Sequence, residues 1–264
     1  MDFLLECIGF PPDHDLAKLA ELVRRVGERA PWRGPEGQHF RLRLGAGLEL
    51  RADRDGDDAP WSVLPYFQSE RRLRLAIESV CGLPDSRYDA LVWGWANPPL
   101  EGAARASREA YAISAVLTDA RRIPRDLVRG HVLAVSLAGF ALDVEAVGDD
   151  PRLLRADREA RPFDDGGWMR PLGGEDDPGG TVELALRVRS VECVRNPLTG
   201  AEVSMLEVST PGRPLMLFAS PWQLDSDGLP APRPGSVVRG VFVLTGRIAG
   251  GLRSVTERVG EDFG

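Results

Sequence analysis

The stretch from Thr181 to Arg189 constrains the fold most. Val182, Leu184, Leu186 and Val188 point one way, while Glu183, Arg187 and Arg189 point the other. That period of two belongs to a strand with one buried and one wet face. The same pattern continues downstream. A turn at Asn196-Pro197-Leu198-Thr199-Gly200 is followed by EVSMLEVS, a Pro-Gly turn, LMLFAS, a loop and SVVRGVFVLTGRI. Short strands joined by Gly/Pro turns, with Gly240 and Gly246 placed to let the last strand bend, suit a small closed barrel of the oligonucleotide/oligosaccharide-binding (OB) kind over residues 181–250. Residues 251–264 form a polar tail.

The first half reads as α+β. FLLECIG at 3–9 is an apolar strand closed by Gly9 and Pro11-Pro12. Asp13 or Asp15 caps a helix running to about Ala30, whose Leu16, Leu19, Ala20, Leu22, Val23 and Val26 share one face. HFRLRL and GLELRAD alternate about Gly45-Ala46-Gly47 as a hairpin, and WSVLPYF, RRLRLAIESV, YDALVWGW and AYAISAVL add strands. Residues 132–147 also permit a helix, but their β-branched content and Gly139 favour a strand with Gly139 as a bulge or kink. The expected fold is therefore an N-terminal, mainly antiparallel sheet with one covering helix (1–156), then a Gly/Asp-rich linker (157–180), then the OB-like barrel. Within the linker, Phe163, Trp168 and Met169 are expected to dock on a module, since a solvated tether has no use for them.

Composition narrows the function classes. At 43% hydrophobic and 28% charged the chain is ordinary globular material, and it carries no apolar run of membrane-spanning length and no basic leader. Cys7, Cys81 and Cys193 are unpaired by spacing, which points to a reducing cytoplasm; Cys7 and Cys193 sit in apolar runs that suit buried thiols. The only lysine is Lys18, and the bias to Arg, Ala, Gly and Pro reads as a GC-rich bacterial genome, so arginines are not each taken as anion contacts. A net charge of −7 disfavours non-specific attraction to nucleic acid or an anionic membrane.

The segments RSVECVRNPLTGAEVSMLEVSTPG and PRPGSVVRGVFVLTGRI, together with GAGLELR, YFQSERRLRL, WGWANP and LAGFALDVEAV, resemble a family of uncharacterised bacterial proteins with a domain of unknown function. Val243 after Phe242 stands where that family tends to carry an aromatic. The resemblance implies no activity and no catalytic residues. The β-α-β-β-β start resembles glyoxalase-like modules, which hold a metal with His and Glu on neighbouring strands; here His39 and Glu49 lie across the hairpin. One such pair falls short of a site, and His39 reads as a solvent-face strand residue. His14, His39 and His131 lack ligand spacing, so no metal site and no cofactor is expected.

Two binding constellations remain. Trp93 and Trp95 flank Gly94 on one strand face, where they would stack a planar ligand or pack against a neighbouring element. Arg187 and Arg189 share the wet face of the first barrel strand, with Arg195 just beyond, as a single-strand nucleic-acid groove would require. Residues 181–264 nonetheless balance nine Arg against nine Asp/Glu, leaving no basic field. The leading expectation is a non-catalytic cytoplasmic protein that binds a protein or small-molecule partner. The alternatives are a single-stranded nucleic-acid-binding accessory protein and a metal-dependent enzyme using His39 and Glu49.

Overall fold

The computed structural model of the chain describes residues 2–30, 37–56, 59–84, 86–99, 109–123, 127, 129–156 and 160–251. It is α+β and mostly strand (51%). The apolar run at Asp2–Ile8 is a 3-10 helix, not the expected strand. Its residues show no alternation, and Leu4, Leu5, Cys7 and Ile8 are all buried. Distant side chains satisfy its backbone: Asn196 Nδ2 donates to Ile8 O at 2.7 Å and Thr199 Oγ1 to Gly9 O at 2.6 Å.

Helix α1 (Leu16–Val26) starts where the sequence places it, with the Asp15 carboxylate accepting from Lys18 N. It buries Leu19, Ala20 and Val23 against an antiparallel sheet of β1 (Glu28–Arg29), β2 (Gln38–Gly45), β3 (Leu48–Arg54) and β4 (Ser62–Phe67), in that order. The β2–β3 turn runs through Ala46 and Gly47, both at positive φ.

The other strands form one mixed sheet: β5 (Leu73–Gly82), β6 (Ala90–Ala96), β7 (Tyr111–Leu117), β8 (Val132–Gly148), β9 (Trp168–Gly173), β10 (Pro178–Arg195), β11 (Glu202–Val208), β12 (Leu215–Phe218) and β13 (Val237–Gly250). A short helix, α2 (Pro221–Ser226), precedes β13. The hydrogen-bonded neighbours close two five-strand circuits. One runs β5-β6-β7-β13-β8 and back to β5; the other runs β10-β11-β12-β8-β13 and back to β10. Each circuit contains one parallel contact, β7 with β13 or β12 with β8. Strands β8 and β13 pair antiparallel from Val237↔Gly148 to Gly250↔Ala134 and serve both circuits.

The second circuit repeats the register of the first. Leu75 pairs with Leu133 as Leu186 pairs with Val238. The β5–β6 register slips between Ile77 and Ser79, and the β10–β11 register slips at the matching step between Val188 and Ser190. The underlying segments are LRLAIESV at 73–80 and LALRVRSV at 184–191.

Several expectations change accordingly. The strands of residues 181–250 do not close on themselves: their circuit needs β8, from the first half of the chain. Residues 132–148 are a strand as expected, but Gly139 is no bulge. It pairs in register with Leu217 and Leu244, and a Cβ there would lie 2.5 Å from Leu217 Cδ2. The slips instead skip Leu142 and Glu145. Within the expected linker, residues 168–173 and 178–180 are strand, and Trp168 and Met169 are 0% and 4% exposed. Phe163 packs against the Tyr111 ring at 5.2 Å.

The β8–β13 seam leaves no room for side chains at its crossings. A Cβ at Gly246 would fall 2.2 Å from Ser136 O, and one at Gly240 2.2 Å from Asp143 O. Gly82, at the end of β5, meets nothing within 4 Å. Gly246→Ala should therefore cost at least about 1–3 kcal/mol, as other overpacking substitutions do, whereas Gly82→Ala should stay within about 0.5 kcal/mol. Urea melts of the two variants check this, and equal midpoints would refute the close seam.

Candidate functional site

Trp93 and Trp95 lie on β6, their rings edge-on at 5.6 Å, and Trp93 is 9% exposed. Their neighbourhood is covered by the β9–β10 hairpin. Gly180 N donates to Ser114 Oγ at 2.8 Å, the Ser79 hydroxyl donates to Glu175 O, and the Arg129 guanidinium joins Glu78 to Glu175. Ser79 and Ser114 are the register partners of Trp93 on either side, so the hairpin crosses the strand at the tryptophan. The hairpin is thus bonded to the residues on either side of Trp93.

The three candidate arginines each hold a local loop. Arg187 Nη1 donates to Gly235 O at 3.1 Å, Arg189 Nε to Ser209 Oγ at 2.8 Å and Arg195 Nε to Gly200 O at 3.0 Å. Arg189 falls at the register slip between Val188 and Ser190, which takes it out of simple alternation with Arg187. Glu183, expected on the wet face, is 7% exposed and sits between Arg170 and Arg239.

His39 and Glu49 are not paired across the hairpin: His39 faces Asp53, and Glu49 faces Arg43. His39 is 2% exposed, which corrects its expected place on the solvent face; its Nδ1 lies 2.8 Å from Asp53 Oδ1 and its ring meets Tyr88 edge-on at 4.7 Å. Glu49 is equally buried and lies 3.5 Å from both Arg41 Nη1 and Arg51 Nη2. Arg51 in turn stacks 3.5 Å over the Tyr66 ring and donates to Thr118 Oγ1, whose hydroxyl donates to Gly246 O. A buried carboxylate is tolerable only with such charged partners, and here they tie the four-stranded sheet to the β7–β13 contact. Among the described residues no group of three or more His, Cys, Asp or Glu could hold a metal. Cys7 is buried, its thiol pushed up to about 12 chiefly by burial, whereas Cys193 is exposed on the part of β10 beyond the slip, against expectation.

Sequence reasoning missed a different group. A cleft of about 30 Å³, room for a water or two, is lined by Ser69, Arg71, Arg72, Tyr111, Thr210 and Arg213 over an apolar floor that includes Leu73, Leu137 and Met216. Both rims are pinned. On one, Ser136 Oγ donates to Ser69 O, Arg71 N donates to Ser69 Oγ, and the Arg71 guanidinium pairs with Glu207 at 2.5 Å. On the other, Thr210 Oγ1 donates to Arg213 O, and Gly212, at φ +77, packs so tightly on Asn97 that a Cβ would lie 2.8 Å from its side chain. Arg72 and Arg213 are exposed, and their guanidinium groups make no hydrogen bond or ion pair among the described residues. The doublet Arg71-Arg72 and the turn Thr210-Pro211-Gly212-Arg213 are visible in sequence, but only the fold brings them together.

Compared with known proteins, the chain matches no family model, no curated protein and no solved structure.

Burial pushes the phenols of Tyr66 and Tyr111 up to about 12. Against an unfolded value of about 10, each raised phenol contributes stability that is fully present below pH 10 and is lost as pH rises towards 12. Urea midpoints should therefore fall between pH 10 and 12, and Tyr66→Phe with Tyr111→Phe should flatten that fall. A native-state absorbance titration in which all three tyrosines ionise together near pH 10 would contradict it.

Proposed function

We propose that this chain is a non-catalytic binding protein that engages a protein or small-molecule partner through the cleft between its two strand circuits. The observation that carries the reading is the pair of exposed, unpartnered guanidinium groups of Arg72 and Arg213, held on two pinned loops about one opening. Three free thiols suit a reducing compartment such as the cytoplasm.

We further propose that each circuit is an OB-like barrel, a reading supported by five strands of mixed direction and by α2 between β12 and β13. In such a barrel the outer face of the middle strands is the usual ligand surface. Here the β9–β10 hairpin crosses that face of the first circuit. In the second, Phe218 of β12 is fully buried, stacked on Phe140 at 5.0 Å and tilted on Phe67 of β4 at 5.3 Å. The chain thus covers the surfaces on which bases would stack, which favours the cleft over a nucleic-acid groove.

The competing nucleic-acid reading rests on Arg187, Arg189 and Arg195. Fluorescence anisotropy with labelled single-stranded oligonucleotides separates the two. The binding-protein reading expects affinity no tighter than about 10⁻⁶ M near physiological salt, the weak non-specific range. Sub-micromolar binding, weakened by Arg187→Ala with Arg189→Ala in a folded protein, would replace it with the nucleic-acid reading.

A further inference from the structure

We propose that the inter-circuit cleft is a binding site for a phosphate monoester group, held by the guanidinium groups of Arg72 and Arg213. The inference rests on the reading of this cleft as the contact site, and it names the chemistry that the site takes.

Charge selects a dianion. Arg71, Arg72 and Arg213 bring three positive charges to the cleft, and Glu207 neutralises one of them through Arg71. Among the described residues no carboxylate lines the opening itself. The remaining charge of about +2 matches a phosphate monoester, which carries about −1.5 to −2 near neutral pH. Two guanidinium forks whose N–H groups are uncommitted among the described residues are suited to tetrahedral oxyanions, since each presents paired donors in a plane. Ser69 adds a third donor: its Oγ accepts from Arg71 N, which leaves the hydroxyl proton for a ligand oxygen.

Size and rigidity sharpen the assignment. The cleft itself holds only a water or two, so a ligand sits at its mouth between the two exposed guanidinium groups, where a compact head group fits and a nucleobase or sugar ring would not enter. The floor of Leu73, Leu137, Leu215 and Met216 keeps one side of the ion out of water, where charge pairing is stronger. Because Ser136, Glu207, Thr210 and Asn97 already fix the two rims, the loops need no ordering on binding and the cost that remains is that of immobilising the two arginine side chains.

Isothermal titration of the full chain with inorganic phosphate, with a short phosphoserine peptide and with acetate tests the proposal. Phosphate or phosphopeptide should bind saturably at one site per chain and more tightly than acetate. Arg72→Gln and Arg213→Gln should each weaken that binding by about tenfold or more, as loss of a charge-assisted bond does, without lowering the melting temperature. Arg195→Gln should leave it unchanged. Tighter binding of the phosphopeptide than of phosphate would mark the group as protein-borne, and equal binding would mark a small phosphate compound. Three outcomes overturn the proposal: no saturable phosphate binding, binding indifferent to both substitutions, or acetate equal to phosphate. Any of these, alongside weak oligonucleotide binding, leaves the cleft a contact site for another ligand. Tight oligonucleotide binding through Arg187 and Arg189 removes the contact-site reading itself.

Discussion

The antiparallel ladder between β8 and β13 is the interaction on which the rest of the structure depends. Each strand supplies one circuit with an antiparallel neighbour and the other with its parallel contact, so the two circuits share their longest hydrogen-bonded seam. Gly139, Gly240 and Gly246 stand where other chain atoms press against the backbone, and side chains there would push the strands apart. The parallel contacts join segments far apart in sequence, and neither circuit closes before β13 is in place. Pairing of this non-local kind is slow to form, because loop-closure entropy must be overcome before the contacts repay it.

What was legible in the sequence was what short-range patterning controls. The cap at Asp15, the apolar face of α1, the β2–β3 hairpin and the alternation of β10 all follow from neighbours within a few residues. What was not legible depends on partners elsewhere. The run at 2–8 is apolar enough for a strand, yet distant Asn196 and Thr199 satisfy its backbone as a 3-10 helix. His39 occupies an alternating strand but is buried under Tyr88 and paired with Asp53. Glycines and acids at 173–180 have a tether's composition, while the hairpin they form is bonded to Ser79, Ser114 and Arg129. The likeness of LRLAIESV to LALRVRSV is the sequence signal of the repeated circuit, and reading the strands one at a time passes it over.

The candidate site follows from the same architecture. Once the circuits interlock, the hairpin covers Trp93 on one, and Phe67 meets Phe218 on the other. The buried Glu49–Arg51–Thr118 chain further fixes the four-stranded sheet to the seam at Gly246. Arginines 187, 189 and 195 brace loops, whereas the guanidinium groups of Arg72 and Arg213 make no hydrogen bond or ion pair among the described residues. Those two guanidinium groups at a pinned opening are the observation on which the proposed ligand site rests.

By sharing β8 and β13 the two circuits should form one cooperative unit. Amide hydrogen exchange measured across a urea series tests it most directly, by comparing the opening free energies of β6 amides in the first circuit with those of β11 amides in the second. Shared strands predict that both sets converge on one global unfolding isotherm, since neither circuit survives loss of the seam. If β10–β12 amides open at a free energy well below those of β5–β7 while the first circuit stays protected, the circuits are separable and the account is wrong.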